Sequence, residues 1–396
     1  MTSWAPAISP RCAPLRPTAV NSILAEVRAF QAQGGNVVSL MRGEPDFRTP
    51  APIAEAAAEA LRRGRTSYPD NRGEMVLRDA IALKLQRDNA ITYDAATEIL
   101  VTTGATFGIY AALTTLLAEG DEVLLPDPIY DAYQSPIVLA GGRSRAVRST
   151  IEHGRFTIST DALEAAVTPA SRVLLLNTPW NPTGTVFREA ELRAIADFVL
   201  RHNLVLVSDE IYEAIVYDGH RHISPASLSR DLRERTVLVN SLSKTYAMTG
   251  WRVGYCAAPA PIVQAMFLVL QQSSRGPATF IQDASAEALR GTQEPVDIMR
   301  REYAARRATV ISALGDVPRV RVLPPEGGFF AMLDVREIGR PSNEIRQQLL
   351  ADAGVVVVNG SAYGEGGEGT LRVSFASGGE TLTRGLERLR EGLSRL

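Results

Sequence analysis

Arg172-Val173-Leu174-Leu175-Leu176-Asn177, a segment of helical spacing over Glu189–His202, then Leu204-Val205-Leu206-Val207-Ser208-Asp209: this alternation decides the fold class. Both outer runs are apolar at most positions, as a strand covered on both faces requires, while the middle segment sets apolar residues three and four apart. The pattern extends outward from about Glu98 to Ala257. Further strands are expected at Glu98–Thr103, Glu122–Pro126, Thr236–Ser241 and Arg252–Ala257, and a second covering helix at Thr106–Leu117. The expected class is α/β, with a mostly parallel central sheet buried between helices.

After Ala278 the texture changes. A long helical stretch through Leu314 is followed by the runs Val320–Leu323, Gly328–Val335, Val355–Val358 and Leu371–Ala376, separated by glycine-rich breaks, which reads as a smaller α+β unit. Thr18–Gln33 reads as a helix and Val37–Leu40 as a short strand that packs with that unit. The chain therefore divides into an N-terminal arm contributing to the small domain (1–46), a large domain (47–285) and a small C-terminal domain (286–396). Gly360–Gly369 is expected to be a flexible surface loop.

Composition narrows the function. Over 396 residues, 42 Lys and Arg face 44 Asp and Glu, a formal charge of −2, so no broad basic field exists for a nucleic acid or an anionic bilayer. The apolar stretch Ile262–Leu270 is broken by Gln264 and falls short of the roughly 20 residues a spanning helix needs. Met1–Pro17 has no apolar signal core, so a cytoplasmic location is expected. The only cysteines are Cys12 and Cys256, which gives no disulfide framework. His220-x-His222 has no cysteine pair nearby, and no metal is expected.

Three apolar runs each end in a polar cluster: Leu174–Leu176 before Asn177 to Gly184, Leu204–Val207 before Asp209, and Val237–Val239 before Ser241 to Lys244. Ligands of open parallel sheets bind at such carboxyl ends. In Ser241-Leu242-Ser243-Lys244 and the following Gly250-Trp251-Arg252-Val253-Gly254, two hydroxyls and a guanidinium offer donors for a phosphate dianion. A lysine held near such cations loses proton affinity and becomes nucleophilic. Thr102-Thr103-Gly104-Ala105-Thr106 stands at a strand-to-helix junction, where free N–H groups and the helix dipole suit an anion. Asp209 reads equally as a helix cap or as a counter-ion for a protonated ring nitrogen.

These residues resemble those of the class I/II aminotransferases, pyridoxal 5'-phosphate (PLP) enzymes of fold type I similar to aspartate aminotransferase. The resemblance runs from Gly43-Glu44-Pro45-Asp46-Phe47 through Asn181-Pro182-Thr183-Gly184, Asp209-x-x-Tyr212 and Ser241-x-Ser243-Lys244 with Arg252 to Leu371-Arg372-Val373-Ser374. It implies a homodimer in which Lys244 joins the cofactor as a Schiff base and shuttles a proton, and Asp209 pairs with the pyridinium nitrogen. Tyr212 and Asn181 would bond the phenolic oxygen. Gly104, Ala105, Thr106, Ser241, Ser243 and Arg252 would hold the phosphate, joined by Tyr68 of the other subunit. Tyr130 would stack on the ring, and Arg372, beside Gly43, would clamp the substrate carboxylate.

The implied activity is ping-pong transfer of an amino group from an L-amino acid to a 2-oxo acid, with a lyase or cyclase using the same Schiff base as the alternative. Either Arg42 or Arg275 could meet a distal substrate carboxylate, with ordinary surface salt bridges the favoured reading of both. Thr106–Leu117 holds no lysine for that task. The segment Ile223–Leu228 with Ala247-Met248-Thr249-Gly250 also resembles relatives that use arginine and pyruvate.

Overall fold

The computed structural model describes residues 8–396, so the first residues of the arm lie outside the described part. Seven strands form the large sheet, running from one edge as Ile99–Thr102, Gly254–Ala257, Thr236–Ser241, Val205–Asp209, Ser171–Asn177, Glu122–Asp127 and Arg143–Arg148. All neighbours are parallel except Gly254–Ala257, which runs antiparallel to both of its partners. Leu174, Leu175 and Leu176 are each at most 1% exposed, and burial of a leucine contributes roughly 1.5–3 kcal/mol. The continuous apolar run is thus accounted for by helices on both faces, among them Ala105–Leu116 and Glu189–Arg201.

Sequence spacing and structure differ in several places. Arg143–Arg148 forms the edge strand although it carries three arginines; charge on an exposed edge hinders pairing with another sheet, and its lack of apolar alternation hid it from a periodicity reading. The helical stretch after Ala278 is two helices, Thr279–Arg290 and Glu294–Leu314, because the chain turns at Gly291 and restarts with Pro295 in the first turn. Gly360–Gly369 is not a free loop. It forms two short 3-10 turns docked on Asp127, whose Oδ2 accepts from Gly366 N at 3.0 Å. A Cβ on Gly364, at φ +129, would stand 1.9 Å from Asp127 Oδ1, so glycine there serves close approach.

A second sheet, antiparallel throughout, runs Arg321–Leu323, Phe330–Asp334, Thr370–Ser374, Val358–Asn359. Its core joins Tyr303 and Val310 of the long helix to Leu386 and Leu389 of the final helix Gly379–Ser394. Val38–Ser39 pairs in parallel with Val355–Val356, and Leu40 O accepts from Ser374 N at 2.7 Å. That attachment brings Arg42 and Gly43 to the mouth between the two sheets. Among the described residues, no helix is long and apolar enough to cross a membrane.

Candidate active site

A cavity of about 560 Å³ opens where strand ends of the large sheet face the second sheet. Its lining includes Arg42, Gly43, Ala105, Thr106, Tyr130, Asn181, Asp209, Tyr212, Ser241, Ser243, Lys244, Arg252 and Arg372, so most of the sequence-derived set converges. The register explains why: Asn177 lies opposite Asp209, and Gly254 lies opposite both Ser241 and Thr102, so adjacent strands deliver their terminal groups to one rim.

One end of the cavity is built for an anion. The helix Ala105–Leu116 points its start there, and its first N–H groups have no intrahelical acceptor. Gly104 has φ +90, and a Cβ added to it would lie 2.8 Å from Arg252 Nη2, so the guanidinium presses directly on the helix start. Ser241 Oγ and Ser243 Oγ are 2.8 Å apart, and Ser243 N donates to Ser241 Oγ at 3.0 Å. Arg252 itself sits at φ +53 with Nη1 bonded to Thr249 O at 3.0 Å, a left-handed conformation that aims the side chain across the turn.

At the centre, Lys244 Nζ donates to Gly43 O at 2.6 Å. Burial and the nearby Arg252 and Arg372 push its pKa down to about 8, against the opposing pull of Glu44 and Asp209. Opposite lies Asp209, 4% exposed, whose carboxyl is pushed up to about 6 by burial. Two bonds resist that rise: Tyr133 Oη donates to Oδ2 at 2.6 Å, and Ile211 N donates to Oδ1 at 3.2 Å. Such a carboxylate gains most from a cation brought against it. Tyr212 packs edge-on against Phe329 and Phe330, and burial drives its pKa upward.

The other end is a carboxylate grip. Arg372, 2% exposed, is set between the Phe330 and Tyr363 rings, its guanidinium carbon 4.1 and 4.9 Å from their centroids. Nη1 donates to Asn181 Oδ1 at 3.2 Å and Nη2 to Met41 O at 3.3 Å, while Nε is buried without a partner. Asn181 is fixed in turn by its N–H bond to Asn177 Oδ1 at 2.7 Å. Arg42 pairs with Glu44 at 3.2 Å, both side chains about half exposed, a contact worth little.

Tyr68 does not line this chain's cavity; it is 87% exposed, with the Arg275 guanidinium carbon 5.9 Å from its ring centroid. Sequence reasoning missed Tyr133, although Tyr130-Asp131-Ala132-Tyr133 carries the signal: a spacing of three puts both rings on one helical turn, 5.5 Å apart. It also missed Asp131, whose Oδ2 accepts from Ala19 N at 2.6 Å and so caps the helix Ala19–Ala32 beside the cavity mouth. Glu210, Glu213 and His222 bring ligand atoms within 4.8 Å of one another, the one such group among the described residues. The carboxylate oxygens of Glu210 and Glu213 already accept from Lys84, Asn89, Asn240, Ser208 and Ser224.

The family model for aminotransferase class I and II matches residues 35–389. The chain belongs to that family. An aromatic-amino-acid aminotransferase of Thermococcus litoralis is 42% identical over 367 residues, 91% of this chain and 93% of that protein. An aspartate aminotransferase of Pyrococcus abyssi is 41% identical, covering 90% and 92%. The solved aspartate aminotransferase of Rhizobium meliloti superposes with a TM-score of 0.95 at 34% identity, covering 99% of this chain and all of that one. This aminotransferase therefore has the PLP fold type I architecture, and the lyase or cyclase alternative is set aside. Members of the family depend on PLP, act on amino and oxo acids, and are typically dimers.

Proposed function

We propose that this aminotransferase binds PLP in the cavity described and moves an amino group from an L-amino acid to a 2-oxo acid in two half-reactions. The observation that carries the reading is one lysine of depressed basicity flanked by an anion cradle, a buried carboxylate and a buried guanidinium. The residues fit the cofactor. The cradle of helix N–H groups, Ser241, Ser243 and Arg252 has the donor set of a phosphate site. The unpartnered Nε of buried Arg372 awaits an acceptor, as a carboxylate substrate would supply.

Bound PLP supplies an electrophilic carbonyl and a ring that accepts an electron pair. In this reading Lys244 would serve as the free amine nucleophile and would hold and move a proton at Nζ. Asp209, whose ionised form accepts from Tyr133 Oη and Ile211 N, would pair with a protonated ring nitrogen. Tyr212 and Asn181 would bond the ring's phenolic oxygen, and Tyr130 would cover one ring face. Arg372 holds the substrate carboxylate beside Gly43, which orients the α-carbon toward Lys244. A dimer is part of the proposal, with exposed Tyr68 reaching the phosphate of the other subunit and Arg42 or Arg275 meeting the substrate side chain. A cytoplasmic location completes it, in keeping with the free thiols Cys12 and Cys256.

The decisive assay offers a panel of L-amino acids to the PLP-loaded protein and follows the cofactor spectrum. The expected result is conversion of bound PLP to its amine form, reversed by a 2-oxo acid. Release of ammonia without that half-reaction would reject transamination. A pH dependence follows from Lys244: its neutral form dominates above about pH 8 rather than above the model-peptide value of 10.5. The rate at which cofactor-free protein captures PLP should therefore rise with pH through about 8 and level off above it, as stopped-flow absorbance would show.

A further inference from the structure

Behind the turn that carries Lys244 lies a buried polar cluster with no part in the chemistry above. Glu213 follows Tyr212 directly in sequence. Its Oε1 accepts from Asn240 Nδ2 at 2.7 Å and from Lys84 Nζ, and its Oε2 accepts from Asn89 Nδ2 at 2.8 Å. Lys84 Nζ also donates to Asn89 Oδ1 at 2.8 Å, so the helix Met75–Asn89 provides both the counter-charge and a second donor. Burial alone would raise the carboxyl of Glu213, yet Lys84 and His222 outweigh it and hold the group below the ordinary value. On its other side, Asn240 Oδ1 accepts from Ser241 N at 2.7 Å.

The bonds therefore link three pieces of chain: the helix Met75–Asn89, the segment from Asp209 to Glu213, and the turn from Asn240 to Lys244. Two of those pieces carry groups that line the main cavity, Asp209 and Tyr212 on one and Ser241, Ser243 and Lys244 on the other. Leu242 packs into the core and the strand ladder holds Asn240 and Ser241 opposite Tyr255 and Gly254, while a second cavity of about 230 Å³ borders the polar side of the turn. On that polar side the Glu213–Asn240 bond adds to the strand ladder.

Resting on the PLP reading, we infer that Glu213 and Asn240 are positioning residues: the Glu213–Asn240 hydrogen bond sets the spacing between the Asp209–Tyr212 segment and the Ser241–Lys244 turn, and so sets phosphate grip and Lys244 placement together. Neither side chain lines the main cavity. Asn240→Asp keeps an acceptor for Ser241 N but turns the tie into carboxylate against carboxylate. The double variant Asn240→Asp/Glu213→Gln restores one donor and one acceptor with their order reversed and keeps the net charge of the cluster, Lys84 retaining its bond to Asn89 Oδ1.

The experiment measures, for wild type, the single variant and the double variant, the PLP dissociation constant, the pH at which the visible absorption of bound PLP changes, and the thermal midpoint of the cofactor-free chain. Asn240→Asp should weaken PLP at least about tenfold and shift the spectral transition, and the double variant should recover both to within about threefold. A shifted spectral transition separates positioning from stability, since a fold that is only weakened would lower the midpoint and leave the transition of its folded fraction in place. If the single variant matches wild type in affinity and spectrum, or the double variant regains its thermal midpoint without regaining either, the inference is overturned and the PLP reading stands. A wild-type chain that takes up no PLP overturns both.

Discussion

Lys244→Ala is expected to lower turnover by at least about 10⁴-fold, because one substitution removes both the nucleophile and the proton carrier. The cavity itself should survive. Lys244 contributes a single bond to the surrounding chain, Nζ to Gly43 O at 2.6 Å, and its charge is already disfavoured by burial. The cradle of Ser241, Ser243 and Arg252 remains, so PLP should still bind, now released by dialysis. Borohydride treatment followed by mass measurement reads this directly: the wild-type chain should retain the cofactor mass on the peptide holding Lys244, and the variant should retain none. Turnover at the wild-type rate in the variant would remove the basis of the assignment.

Asp209→Asn carries the second largest expected effect. The amide has the same shape and can still accept from Tyr133 Oη, which the structure places at 2.6 Å, but it brings no charge to a protonated ring nitrogen. Removing one partner of a buried charge pair costs roughly 3–5 kcal/mol, or about 10² to 10⁴ in rate if the pairing matters mainly when the ring takes up electron density. The loss should therefore fall on kcat, with KM changed little, because Arg372 and the phosphate cradle are untouched. Tyr133→Phe should act in the same direction more weakly, since it removes one of the two bonds that oppose the rise of the Asp209 carboxyl to about 6. Steady-state kinetics on both variants with one amino donor test the order; an Asp209→Asn enzyme within threefold of wild-type kcat would contradict the counter-ion role.

Much of the site could be read from the chain because its chemistry is local. Ser241, Ser243 and Lys244 stand within four positions, Asp209 ends an apolar run, and Gly104 opens a helix; each signal needs no knowledge of what lies across the cavity. Tyr133 was missed because its role exists only once the chain after Glu122–Asp127 lies beside the strand that ends at Asp209. The direction of Gly254–Ala257 is not legible in the sequence for a related reason: a fully buried strand reads the same whether its neighbours run parallel or antiparallel. Gly360–Gly369 looked mobile because glycine marks both freedom and close contact, and only the approach of Asp127 separates the two.

By itself, then, the sequence determined the layered α/β class, the family, and which side chains could grip a phosphate, a ring nitrogen and a carboxylate, because periodicity and residue chemistry are properties of short segments. Tertiary structure decided which of those groups meet. Arg372 comes within bonding distance of Asn181, 191 positions away, and Glu213 reaches back to Lys84 across 129, because sheet register and helix packing bring together groups whose separation along the chain carries no information about their distance in space.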